Sequence, residues 1–184
     1  MCQQCEDNTP EFDRAIAAVD YDGPWPGLLT RLKFQGGTAL ARPLAAMLAE
    51  RIHLRRAGAD LMLPVPLSRQ RMSERGYNQS WLLARHLERQ LAIPASVDIL
   101  TRRQHTQRLM SLSAEERAIQ IKHAFDVPAS AQAAIKGRHI ALVDDVMTTG
   151  ATLDACAHAL LEAGARSVSA WVVARTPQPR QVQT

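Results

Sequence analysis

The stretch IALVDDVMTTGAT, residues 140–152, decides the fold of this 184-residue chain. His139 to Val143 reads as a strand that delivers Asp144 and Asp145 to the carboxyl edge of a sheet, where open α/β folds bind their ligands. A tight turn follows, Thr148-Thr149-Gly150-Ala151-Thr152, and a helix begins at Thr152. Successive backbone N–H groups in such a turn point at one spot and form a nest for an anion. The helix N-terminus adds its orphan donors and its positive dipole end. Threonines 148, 149 and 152 can supply hydroxyl hydrogen bonds, and Gly150 lets the backbone come close. The two carboxylates stand one short loop away, where they could accept hydrogen bonds from vicinal hydroxyls. A phosphate cup beside such an acid pair describes a site for a ribose 5-phosphate.

The same residues allow other readings. A strand ending in two aspartates also occurs as a Walker B element, but the chain contains no GxxxxGK[ST]. Receiver domains carry acidic residues at strand ends too, with the following segment arranged differently. The plain structural reading is a buried strand with a threonine-rich helix cap, and the match over all of residues 140–152 weighs against it.

Working outward, strands alternate with helices. Ala15 to Tyr21 suits a strand bounded by Gly23 and Pro24. Trp25, Leu28, Leu29 and Leu32 share a helical face closed by Gly36 and Gly37, and Leu40, Leu44, Met47, Leu48 and Ile52 mark a second, longer helix. Leu61 to Val65 reads as a buried strand, residues 76–91 as a helix, and Val97 to Leu100 as a further strand. Residues 101–113 read as a basic loop, 115–122 as helical and 124–127 as a short strand. Thr152 to Ala163 is a helix closed by Gly164, and Ser167 to Ala174 a last strand. This alternation implies a mostly parallel sheet with helices on both faces. No internal repeat or Pro/Gly-rich linker divides it. The expected organisation is one α/β domain over 13–176, preceded by a polar segment 1–12 and followed by a disordered tail 177–184.

Bulk properties narrow the setting. Hydrophobic residues make up 46% and charged ones 22%, as in an ordinary globular protein. No apolar run is long enough to span a bilayer, and the N-terminus lacks a secretory pattern, so a cytoplasmic location is the expectation. The net charge of +4 and pI of about 9.3 suit phosphorylated ligands and do not by themselves imply nucleic acid. Three cysteines give no disulfide framework. Cys156 lies in a helical pattern as a small buried residue. Cys2 and Cys5 form a CxxC pair, half of a zinc site at most, so zinc is not expected in this chain.

At this point the chain is identified as resembling a family. Residues 140–152 resemble the phosphoribosyl-pyrophosphate (PRPP) signature of type I phosphoribosyltransferases. The rest is similar to the ComF family within that group, through YDGPWPGLLTRLKFQG, LPVPLSRQRMSERGYNQS, RRQHTQ and SAEERAIQIKHAFDV. The resemblance covers Tyr21 to Thr176, with RGYNQ its most specific piece. It implies a type I phosphoribosyltransferase fold whose hood comes from the N-terminal segment or is minimal, because only Arg175 to Thr184 remain after the last strand. It implies that Asp144 and Asp145 hold the ribose hydroxyls, and that Thr148, Thr149, Gly150, Ala151 and Thr152 bind the 5-phosphate. Pro66, Leu67 and Ser68 take the place of the pyrophosphate loop, with Arg69 and Arg71 nearby. Arg102 and Arg103 open the segment to Leu112 that would close over PRPP. It further implies Mg²⁺ bound with PRPP, and an N-terminal cysteine-rich zinc ribbon of which residues 1–12 would be the remnant.

Some assignments stay double. Arg102, Arg103 and Arg108 suit either a solvated basic loop or a closing loop that neutralises pyrophosphate and excludes water. Arg75 could face phosphate. Asn78 could cap the helix that follows it, and Trp81 reads as core. Two function classes follow from the resemblance. One is an enzyme that transfers phosphoribosyl to or from a nitrogen acceptor, in the setting of DNA uptake or utilization. The other is a non-catalytic module that senses PRPP or a nucleotide and acts through protein or DNA contacts, DNA-processing proteins being the expected partners. The acceptor is not legible in these residues.

Overall fold

The computed structural model describes residues 9–34, 36–103 and 124–177. Their centre is a four-stranded sheet of β1 (Arg14–Asp20), β6 (Ser167–Arg175), β5 (His139–Met147) and β2 (Leu61–Pro64), in that order. Every pairing in it is parallel, with Val143 opposite both Trp171 of β6 and Pro64 of β2. A small antiparallel pair, β3 (Thr101–Arg102) with β4 (Phe125–Asp126), stands apart.

Both faces of the sheet are covered, which is why its strands read as continuous apolar runs. Successive side chains of a strand point to opposite faces. Ala141, Val143, Trp171 and Val173 therefore pack on one face with α1 (Trp25–Phe34), α2 (Ala41–Leu54) and α4 (Gln79–Leu91). Ile140, Leu142, Val168, Ala170 and Val172 pack on the other with α6 (Ala151–Glu162), through Leu153, Cys156 and Leu160. Cys156 is a free, buried thiol, as its helical spacing implied. No helix among the described residues is long and apolar enough to cross a membrane.

The structure departs from the sequence reading in five places. Thr101–Arg102, at the head of the stretch read as a loop, pairs as β3 with β4. Residues 69–75 form a helix, α3 (Arg69–Arg75), although they carry no apolar stripe and are not buried. Its ends explain it: Ser68 accepts a hydrogen bond from Arg71 N–H at 3.2 Å, and Gly76 closes the helix at φ 75°. The helix read over 76–91 starts at Gln79, after that glycine. Val97 to Leu100 is bent chain rather than a strand. Ile99 and Leu100 are buried in the core without pairing, so packing and not a ladder explains their apolar character. Finally, β5 continues to Met147, so Asp144 and Asp145 lie within the strand and not beyond it. A single turn of helix, α5 (Ala129–Gln132), leads into β5. The helix read over 115–122 and Arg108 fall outside the described residues.

Candidate ligand site at the end of β5

Strand β5 carries the acid pair and turns through Thr148–Gly150 into α6. Gly150 is the residue before the helix, with φ 86°, a conformation that costs any residue with a Cβ. Thr148, Thr149, Ala151 and Thr152 are exposed around it. Ala151 N–H donates to Thr149 Oγ1 at 3.4 Å, and the strand end is tied by Thr176 N–H to Met147 C=O at 2.9 Å. The turn therefore has a fixed base and an open rim. Phe12 and Met147 lie under Gly150. Glu11 N–H donates to Asp154 Oδ1 at 2.6 Å, fastening the segment before β1 to the first turn of α6. Asp154 also suits the positive end of that helix.

The two carboxylates have different surroundings. Asp145 is 2% exposed. Its Oδ2 lies 2.7 Å from Lys33 Nζ and its Oδ1 accepts from Gln79 Nε2 at 3.3 Å. Asp144 is partly exposed, and its Oδ1 accepts from Ser80 Oγ at 2.8 Å and from Asp145 N–H at 2.9 Å. Oδ2 of Asp144 accepts no hydrogen bond from a described residue. Desolvation, and then the neighbouring charge of Asp145, raise the Asp144 carboxyl from its usual range to about 7, against the opposing pull of Ser80, the Asp145 amide and Lys33. Cys156 lies close beneath, and burial followed by the Asp144 charge pushes its thiol well above the ordinary value.

Most of the support comes from one short segment, Arg75 to Ser80. Asn78 caps α4 by accepting from Ser80 N–H at 2.9 Å and Trp81 N–H at 3.4 Å, while its Nδ2 donates to Val65 C=O at 3.0 Å. That last bond joins the start of α4 to the chain entering Pro66–Ser68. Gln79 bridges Asp145 to Arg75, whose Nη1 donates to Gln79 Oε1 at 3.0 Å. The Arg75 guanidinium lies 4.5 Å over the exposed ring of Phe34. Tyr77 hydroxyl donates to Leu32 C=O, one residue before Lys33. Arg75 thus braces the acid pair through Gln79. Trp81 packs partly buried against the core, as read.

The remaining residues of the sequence reading fall around this centre. Val65 N–H donates to Val143 C=O at 3.0 Å, which sets Pro66, Leu67 and Ser68 beside the end of β5. Arg102 and Arg103 diverge. Arg102 is half-buried on the Phe125 ring at 5.3 Å, and burial followed by the charge of Arg71 lowers its proton affinity. Arg103 makes an exposed ion pair with Asp126 at 3.0 Å. Sequence reasoning assigned no role to Lys33, Gln79 or Ser80. Each lies inside a stretch already matched to the family, which was the available signal; their convergence on the aspartates is tertiary.

Comparison with known proteins agrees with this architecture. The model of the phosphoribosyl transferase domain matches residues 78–183. Competence protein F of Haemophilus influenzae is 36% identical over 180 residues, 95% of this chain and 78% of the relative. The DNA utilization protein YhgH of Escherichia coli K12 is 35% identical over the same shares. The glutamine PRPP amidotransferase of B. subtilis, solved with ADP and GMP, superposes at TM-score 0.52 with 18% identity over 74% of this chain and 26% of that enzyme, a likeness of fold alone. With its parallel sheet, its acid pair and this degree of identity, the chain belongs to the ComF family of phosphoribosyl transferase-domain proteins.

Proposed function

We propose that the end of β5 binds PRPP and that the protein is a phosphoribosyltransferase, working where DNA is taken up or used. One observation carries the reading. An open threonine turn on a positive-φ glycine stands directly after two carboxylates that three other side chains hold in place. In this reading the 5-phosphate sits on the N–H groups and hydroxyls of Thr148 to Thr152. Asp144 offers its open oxygen to a ribose hydroxyl. Asp145, with both oxygens occupied by Lys33 and Gln79, supports that role from behind. The printed names of the relatives, competence and DNA utilization, support the setting.

Displacing pyrophosphate from ribose C1 passes through an oxocarbenium-like state, which calls for charge stabilisation at both ends of the breaking bond. The carboxylates lie on the ribose side. Pro66–Ser68, with Arg69 and Arg71 after them, lie where the leaving group would depart, and Arg102 and Arg103 begin the segment that would cover it. Arg103 would leave its surface pair with Asp126 to do so. The residues fit a magnesium ion, because their donors are hard carboxylate and hydroxyl oxygens and PRPP brings more. When bound, the ion would offset the charge of the leaving pyrophosphate.

The test is calorimetric titration with PRPP and Mg²⁺, followed by a pyrophosphate-release assay with a panel of nucleobases. Binding with base-dependent release establishes the transferase and names its acceptor. Binding without release supports a sensing module in its place. A folded protein that does not bind PRPP overturns the reading.

A further inference from the structure

The four-stranded sheet has two edges, and the described chain covers one of them. Beside β2, Met62 N–H donates to Pro94 C=O at 2.8 Å and Ser96 N–H donates to Met62 C=O at 3.0 Å, so residues 94–96 close that side. The β1 edge differs. Asp13 N–H donates to Val168 C=O at 2.9 Å and Tyr21 N–H to Arg175 C=O at 2.8 Å. These bonds fix the alternation: odd-numbered residues of β1 direct their amides to β6, and Arg14, Ile16, Ala18 and Asp20 direct theirs outward. Among the described residues none of these outward N–H groups has a partner.

Edge strands usually carry a proline, a lysine or an inward charge that blocks further pairing. Between its terminal charges β1 has none of these: its sequence is Arg14-Ala-Ile-Ala-Ala-Val-Asp20. That sequence is complementary to itself when reversed. We propose that β1 pairs antiparallel with β1 of a second copy of this chain, about a twofold axis at Ala17. Arg14 then faces Asp20 of the second copy, and Ile16 faces its Ala18. Even-numbered residues meet even-numbered residues, so the positions that exchange hydrogen bonds are those with outward amides. A slip of one residue would bring inward-directed amides against outward ones, and a slip of two would part Arg14 from Asp20.

The surrounding charges favour the same register. The groove along β1 is lined by Arg51, Arg55 and Arg175 besides the strand itself, and Arg175 stands beside Asp20 at the other end. Arg51 and Arg55 set the excess of positive charge. Both come from the end of α2, from which the chain enters the amino ends of the parallel strands, so they lie at the Arg14 end. In the pair, Asp20 and the exposed Asp22 of one copy meet the basic end of the other. Opposite charges directly across a sheet set register and partner. The contact uses the same patch twice and closes as a dimer. One carbonyl is already in use, since Asp20 C=O accepts from Asp22 N–H at 3.0 Å, so the outermost pairs contribute less than the central ones.

The test is sedimentation or light scattering of the whole chain across a broad range of protein concentration. The expected species is a dimer of about 41 kDa, twice 20.3 kDa. Arg14→Asp and Asp20→Arg, both at exposed positions, are each expected to give monomer, and the double variant to regain the dimer. Ala18→Pro, which removes an outward amide and leaves the β6 ladder intact, is expected to be a folded monomer by circular dichroism. A wild type that stays monomeric throughout overturns the proposal, and so does a dimer that survives the single charge reversals. Neither result depends on PRPP.

Discussion

Lys33 Nζ stands 2.7 Å from Asp145 Oδ2, and through this contact the end of α1 reaches the acid pair. The ammonium is the partner of that oxygen among the described residues, and Asp145 is nearly without solvent access. Two adjacent carboxylates would otherwise repel each other in a desolvated place. The lysine offsets part of that repulsion, while burial and the neighbouring Asp145 charge still raise the Asp144 carboxyl to about 7.

Removing that ammonium should be costly. Breaking a buried ion pair by deleting one partner leaves an uncompensated charge, and the loss is about 3–5 kcal/mol in full burial. Lys33 is itself 25% exposed, so screening reduces the expected loss for Lys33→Met to about 1–3 kcal/mol. Urea unfolding at neutral pH measures it. The double variant Lys33→Met/Asp145→Asn should be more stable than the sum of the single losses. Strict additivity would mean that the two residues do not interact.

Asp144 gives a pH dependence with a definite sign. Its carboxyl is raised in the folded protein to about 7, above the unfolded value of 3.8. The folded state therefore prefers the neutral form. That contribution is complete below the unfolded value and is lost as pH rises through about 7. Asp144→Asn keeps an oxygen for Ser80 and for the Asp145 amide without the charge. It is expected to be more stable than the wild type at about pH 8, by at most a few kcal/mol in urea unfolding, with the gap closing as pH falls toward about 4. A constant gap across that range would show that Asp144 does not titrate in this window. PRPP affinity should fall in the same variant.

Gly150→Ala addresses the phosphate turn. An added Cβ would meet Phe12 and Met147 only at ordinary contact distances, 3.7 Å and beyond. The strain comes instead from φ 86°, worth about 1–2 kcal/mol for a residue with a side chain. PRPP affinity is expected to drop about tenfold or more if the turn relaxes to relieve it, since about 1.4 kcal/mol is a factor of ten. Calorimetry beside a thermal melt separates the two effects. Unchanged affinity in a destabilised protein would remove the turn from the binding site.

Asn78→Ala should act on stability first. It deletes a helix cap, typically about 1 kcal/mol, and leaves the Val65 carbonyl without its donor, about 1 kcal/mol more. The summed loss is read from the urea midpoint at unchanged slope. Asn78→Ser, which keeps a capping oxygen and cannot reach Val65 in the same way, is expected to recover part of it.

The sequence was informative where a local rule had a tertiary counterpart. Asn78 before an amphipathic run reads as a cap and is one. Gly150 between threonines and a helix reads as part of a tight turn and is one, at φ 86°. The period-two burial of β5 and β6 hides inside continuous apolar runs, but length and flanking residues still mark them as strands. What escaped was whatever depended on the far side of a contact. Lys33 on an otherwise ordinary helix, and Ser80 one place into α4, show no local sign that they converge on adjacent carboxylates. The helix α3 escaped because a helix held by its two ends has no periodic stripe to find. Val97 to Leu100 misled for the reverse reason, since burial alone imitates a strand. The strand reads as delivering both aspartates to the edge of the sheet; Asp144 is partly exposed there, whereas Asp145 is buried.

The fastening of Glu11 to Asp154, with Phe12 lying under Gly150, determines where an amino-terminal attachment would sit. The chain at Glu11 and Phe12 lies at the turn that receives phosphate in our reading, and not on a remote surface. A fluorophore placed there would report on occupancy of the turn. A bulky affinity tag at the same end would crowd its opening.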